Sequence, residues 1–258
     1  MMFPANFIIE TISSFGWVLM NVGFYLLIFE YTDQIGAGAA DGSAWDKHQF
    51  LVFIATSMFI NSIVQMFFME NADEFSELIR TGNLDFALLK PIDTQFLVSL
   101  HKVDWSSLAN FSVAAVLMIY ALPRVEGLEL TIWQVVLYPI YVAAGVGILY
   151  ALTIVLASCS VWLGRNTSIY DFWFYITNFS RYPMEIYNGP IGDWIRVIFT
   201  FVLPILIVVN VPARMLAKPL RAEYWHLALF AVAATIVSLW VSRWIFQRAL
   251  LSYRSASS

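Results

Sequence analysis

The sequence predicts an all-α integral membrane protein with about six transmembrane helices, and three observations carry that reading. Only 12% of the 258 residues are charged and 60% are hydrophobic, against roughly 25% charged in a soluble domain. Mean hydropathy is +0.72. The apolar residues are gathered into runs, and a spanning helix needs only about 20 of them. No polar stretch approaches the roughly 50 residues of a small independent domain, so 1–258 reads as a single transmembrane domain.

The runs come in order. The first crossing is 15–31. Before it, Phe3, Phe7, Ile8 and Ile12 recur at helical spacing, the pattern of a short piece lying in the interface. The second crossing is 49–69 and the third 96–122, whose first turns lie outside the hydrocarbon. The fourth, 133–163, exceeds what a straight crossing needs and must tilt or protrude. The last is 225–246. Between them, 168–188 is aromatic enough to cross once and 194–216 is apolar enough to cross again. This region also holds Pro183, Pro190, Pro204, Pro212 and Pro219. Proline removes a helical hydrogen bond, and a freed carbonyl in lipid must find another partner. Seven simple spans, or six with 190–219 as a re-entrant outer-side helical hairpin, both satisfy the pattern; the spacing of Pro204 and Pro212 favours the second.

Residues 70–104 interrupt the apolar pattern with ten of the chain's 32 charged side chains. They read as a loop of two short helices. In the first, 73–80, Asp73, Glu74 and Glu77 precede Arg80, the order that suits the helix dipole. Phe75, Leu78 and Ile79 share its apolar face. Gly82 stops it, Asn83 is placed to cap the second helix, 84–90, and Pro91 ends that one. Leu84 and Leu88 share a face there. Such short helices are unstable alone, so their apolar residues must be covered by their own domain, by lipid or by a partner.

Ser57, Asn61 and Gln65 form a polar stripe on the second span, and Asn21 is the matching polar residue of the first. Polar groups in a bilayer face protein or water. These line a translocation path or hydrogen-bond between helices. Ala143, Gly147 and Ala151 place small residues along the fourth span, where they permit close helix approach.

The run IRTGNLDFALLKPID at 79–93 resembles a pattern in the ABC-type-2 permeases, in their small six-span branch once left uncharacterised. It is carried here by Ile79, Arg80, Gly82, Leu84, Asp85, Leu88, Leu89, Lys90 and Pro91. The later RYPMEIYNGP at 181–190, followed by Pro204 and Pro212, resembles the same branch. The resemblance implies a permease that pairs with a second copy or a related permease in a bacterial cytoplasmic membrane. It implies cytoplasmic ATPase subunits, which hold the ATP and magnesium, and a coupling helix in the loop 70–104 that docks on them. It also implies short re-entrant helices before the last span. On that basis Phe75, Leu78, Leu84 and Leu88 are expected to supply apolar contact with the ATPase, with Arg80, Asp85 and Lys90 setting orientation and Gly82 and Pro91 delimiting the helices.

Other chemistry is disfavoured. No Gly-Lys pair occurs, so the phosphate-cradling loop is absent and ATP hydrolysis belongs on another chain. His48, His101 and His226 are scattered and Cys159 is the single cysteine, which gives neither a metal cluster nor a catalytic centre. The net charge of −4 suggests no nucleic-acid role. The alternative is a carrier or channel that needs no ATPase, but spans two, four and six lack the mid-membrane acids usual in proton coupling. Lysine and arginine divide seven to seven between the two sides, so charge bias does not orient the chain.

Overall fold

The computed structural model describes residues 4–36, 44–163, 169–219 and 225–253. Arg165, Arg221 and Arg254 of the charge balance, and Phe3 of the leading segment, lie outside them. The chain is built of helices α1 (Pro4–Tyr31), α2 (Lys47–Val64), α3 (Glu70–Thr81), α4 (Leu84–Leu88), α5 (Thr94–Ser99), α6 (Ser107–Ala121), α7 (Ile132–Leu163), α8 (Ile169–Asn178), α9 (Gly189–Val197), α10 (Leu206–Ala217) and α11 (Trp225–Ser252). A two-residue ribbon, β1 (Gln34–Ile35) against β2 (Trp45–Asp46), is its one sheet among the described residues, antiparallel with Ile35 opposite Trp45. Among the described residues, four helical stretches are long and apolar enough to cross a membrane, or five if a bent pair counts as one.

α7 is the central post. It packs on α11, α10, α2 and α3, while α6 lies on α2 and α1 on both. Of the predicted small residues, Gly147 and Ala151 are packed and Ala143 is exposed. Gly147 lets α11 approach, since a Cβ there would sit 3.0 Å from the Thr235 methyl. Gly145, outside the predicted series, faces α10: a Cβ would meet the Val208 carbonyl oxygen at 2.7 Å. Val208 is four residues before Pro212, which lies inside α10 and has no N–H to give it. The carbonyl freed by proline therefore lies against Gly145, where a larger residue would collide with it.

Several boundaries differ from expectation, each for a local reason. The leading segment is not separate: α1 is one continuous 28-residue helix. The second crossing does not end at 69. It continues through a π-helical turn, Gln65–Met69, into α3, making one 35-residue rod from Lys47 to Thr81. At 1.5 Å per residue that is roughly 52 Å, well beyond a hydrocarbon core of about 30 Å. The third crossing is shortened because Asp104 accepts hydrogen bonds from the Ser106 N–H (2.9 Å) and the Ser107 hydroxyl (2.8 Å), starting α6 afresh after α5. The aromatic stretch 168–188 is not one long helix. α8 gives way to 3-10 turns at Phe179–Arg181 and Met184–Ile186, with Tyr182 extended ahead of Pro183.

The segment expected as a hairpin is bent but not folded flat. Gly189–Val202, closing on a π turn at Ile198–Val202, meets α10 at 88° across Leu203, Pro204 and Ile205. Every residue of α10 is buried, whereas α9 buries none. Both flanks of the segment reach the ribbon. Glu185 accepts from the Trp45 indole (2.9 Å), and the Lys218 ammonium donates to the Ala44 carbonyl (2.8 Å) and lies 4.2 Å from the centre of the Trp45 ring. The segment thus begins and ends at the ribbon end of the bundle. The buried carboxylate of Glu185 is also paired with Arg214 of α10.

Candidate functional site

Two places gather the residues singled out by the sequence. The first is the charged loop. Gly82 closes α3 in the left-handed conformation, φ +74°, its N–H donating to the Ile79 carbonyl at 3.2 Å, as the stop signal predicts. Asn83 is not a side-chain cap: its amide turns back to donate to the Thr81 hydroxyl at 3.0 Å. α4 ends at Leu88, ahead of Pro91.

The loop's apolar residues separate into two sets. Phe75 (1% exposed) and Leu84 (0%) lie in a core of this chain's own making, with Val98, Ile154, Ala157 and Phe246; the Phe75 and Phe246 ring centres are 5.4 Å apart. Leu78 packs against the same core and is half-buried. Phe75 and Leu84 were both expected to face the ATPase; here they are covered by this chain's own residues. Leu84 and Leu88 also part company: α4 is five residues long, and Leu88 faces out. The outward set is Phe86 (69% exposed), Leu88 (40%), Leu89 (81%) and Ile92 (51%). Phe86 and Ile92 were missed because nothing in their spacing marks them. Arg80, Lys90 and Pro91 are exposed around this strip and Asp85 is half-buried. Arg80 forms an ion pair with Glu77 one turn back, which holds the Glu77 carboxyl below the usual range.

The loop is clamped to the bundle. Asp93 caps α5, accepting from the Phe96 N–H at 3.0 Å. Its carboxylate also receives both terminal nitrogens of Arg243 on α11, one of them at 2.9 Å. The Arg243 hydrogen bonds hold the Asp93 carboxyl below its ordinary value, and the Phe96 N–H adds to this. The Gln95 amide donates to the Tyr150 hydroxyl of α7 (3.1 Å). Asn71 exchanges two hydrogen bonds with the Lys102 backbone, 2.8 and 2.9 Å. Apart from the Asp93 cap, the sequence marks none of these ties, since each joins residues far apart in the chain. Beneath the outward strip is a hollow of about 270 Å³ bordered by Leu78, Phe86, Lys90 and His101.

The second place is a polar cleft of about 140 Å³. Asn21 on α1 and Ser57, Asn61 and Gln65 on the long rod all line it, together with Asn110 of α6 and Arg181 of the 3-10 turn, neither of which the sequence singled out. The stripe and the lone asparagine of the neighbouring span therefore converge on one space. Asn61 also donates to the Ser57 carbonyl at 2.8 Å, so local hydrogen bonding and cleft lining coexist in one residue. Gln65 sits where the rod becomes π-helical, and the extra residue of a π turn re-phases the face that follows.

A family model described as ABC-2 family transporter protein matches residues 7–257, nearly the whole chain. The chain belongs to the ABC-2 transporter family. It is thus a multi-pass membrane protein, the permease component of an ABC transporter and not its hydrolytic one. No curated protein and no solved structure matches it.

Proposed function

We propose that this permease works as a dimer, with a second copy or a related permease, and exports a hydrophobic or amphiphilic substrate across a bacterial cytoplasmic membrane. Power comes from separate cytoplasmic ATPase subunits that carry the ATP and magnesium. The observation that carries the reading is the outward strip Phe86, Leu88, Leu89 and Ile92, set beside Arg80 and Lys90 on a loop clamped to α7 and α11. A contiguous exposed apolar patch rimmed by charge marks an interaction surface. A stiff loop moves with whatever docks on it. The loop's first helix, α3, is the end of the Lys47–Thr81 rod, which lines the cleft with Ser57, Asn61 and Gln65, and the strip follows it after the Gly82 turn. Movement at the strip would therefore reach the cleft as rigid-body rocking of one helix.

In this reading Leu88 alone remains from the original apolar set as a direct contact, joined by Phe86 and Leu89. Phe75, Leu78 and Leu84 hold the strip in place from beneath. Asp85, Arg80 and Lys90 orient the docking. α1, α2, α6, α7, the broken stretch 169–186 and α11 make six crossings, and 189–217 enters and leaves on the outer side.

The test is co-purification from mild detergent, followed by an ATPase assay. Tagged permease should retain a nucleotide-hydrolysing partner, and Leu89→Asp should lose it while eluting as a folded protein. Substrate movement in vesicles by the permease alone, without nucleotide, would favour the ATPase-independent carrier instead.

A further inference from the structure

The polar cleft carries a charge bias beyond what a general path needs. Its polar wall is mostly amide: Asn21, Asn61, Gln65 and Asn110, with Ser57 beside them. Its single ion is Arg181, and no Asp or Glu borders it among the described residues. Arg181 is half-buried, and no carboxylate among the described residues comes within ion-pair distance of it. Its guanidinium rests over the Phe174 ring, 5.0 Å from the centroid. A cation–π contact offsets only part of the cost of removing a guanidinium from water. Val22, Ile54 and Met58 add apolar lining. At about 140 Å³ the space suits a small head group and leaves a hydrocarbon tail outside. Ser57–Gln65 lie roughly 15–27 Å along the rod from Lys47, so the head group would sit within the membrane's thickness.

We propose that this cleft binds the anionic head group of an amphiphile, a phosphate or carboxylate monoanion or dianion on an alkyl chain, with Arg181 as its charge partner and the Gln65 and Asn110 amides as donors. The guanidinium fork matches both oxyanions in bidentate fashion, and the amides complete the shell. The proposal rests on the transporter reading above and names its substrate class.

The experiment uses full-length tagged protein in phosphatidylcholine nanodiscs, with empty nanodiscs as baseline and radiolabelled dodecyl phosphate as the probe. Wild type should retain the probe saturably. Arg181→Gln should weaken half-saturation by about tenfold or more, the scale of a lost charged hydrogen bond. Arg181→Lys, which keeps the charge but loses the fork, should bind less tightly than wild type and more tightly than Arg181→Gln, a ranking that a merely structural role would not produce. Dodecyltrimethylammonium and inorganic phosphate should not compete at matching concentration. Saturable binding unaffected by Arg181→Gln in a folded protein, equal competition by the cation, or no saturable binding at all would overturn the proposal. Competition by inorganic phosphate alone would overturn the amphiphile assignment. No ATPase is present in the assay, so its failure leaves the docking reading standing, and loss of ATPase co-purification leaves this one standing.

Discussion

Phe75→Ala separates the two roles that the apolar residues of the charged loop can play. Phe75 is 1% exposed, and its ring is tilted against Phe246 of α11 at a centroid separation of 5.4 Å, with Leu84 and Val98 in the same cluster. Truncating a fully buried phenylalanine costs about 3–5 kcal/mol, transfer and cavity together. At about 2–4 °C per kcal/mol for a chain of this size, the unfolding midpoint should fall by roughly 6–20 °C. Leu89 is 81% exposed, and Leu89→Ala should shift stability by no more than about 0.5 kcal/mol. Intrinsic tryptophan fluorescence on heating in neutral detergent reads both, with ATPase co-purification measured in parallel below the transition. The expected pattern is a destabilised Phe75→Ala that still binds ATPase when cold, and a stable Leu89→Ala that binds it weakly. Phe75→Ala melting with wild type while losing the ATPase would refute the burial argument and restore Phe75 to the contact surface.

Other perturbations have defined outcomes. Gly145→Ala places a methyl 2.7 Å from the Val208 carbonyl and should cost about 1–3 kcal/mol by overpacking, whereas Gly23→Ala, with open space around it, should be near neutral; thermal unfolding ranks them. Arg243→Ala removes the clamp on Asp93. Both partners are more than a third exposed, so the loss is about 0.2–1 kcal/mol and should appear as faster amide exchange in 94–99 and not as global melting. Because the folded carboxyl of Asp93 is depressed, its contribution is complete above the ordinary aspartate value of about 3.9. It is lost as pH falls through the lower folded value, so acid should loosen α5 in wild type and add little in Arg243→Ala. Glu185→Gln breaks a buried ion pair that ties the 3-10 turn to α10. It should cost about 3–5 kcal/mol, and Glu185→Leu combined with Arg214→Met should recover only part of that in the same melting assay, because the buried Trp45 indole N–H loses its acceptor.

Legibility in the sequence followed the range of the interaction. The stop at Gly82 was readable because a left-handed residue after an apolar-periodic helix is a local event. The small-residue series pointed at α7 correctly but missed Gly145, whose reason is a carbonyl freed by Pro212, 67 positions on (212 − 145). The polar stripe was visible as spacing. That Asn21 faces the same space needed the packing of α1 on α2, and Arg181 came from a turn whose position in the fold no periodicity encodes. The join of α2 to α3 was hidden because a change from apolar to charged composition resembles a boundary, while the backbone passes through it in one π turn.

What the sequence by itself determined was the class of protein, the order of its apolar runs, the punctuation of the charged loop and which residues of α3 share a face. Those depend on composition and on contacts within a turn or two. Only the tertiary structure decided what that face meets. An amphipathic helix states that one side must be covered but not by whom, and the cover here is Phe246, Ile154 and Ala157, brought from distant helices. Once they fill the Phe75 side, the apolar surface the loop leaves exposed lies at Phe86, Leu88 and Leu89 around the next turn of the chain.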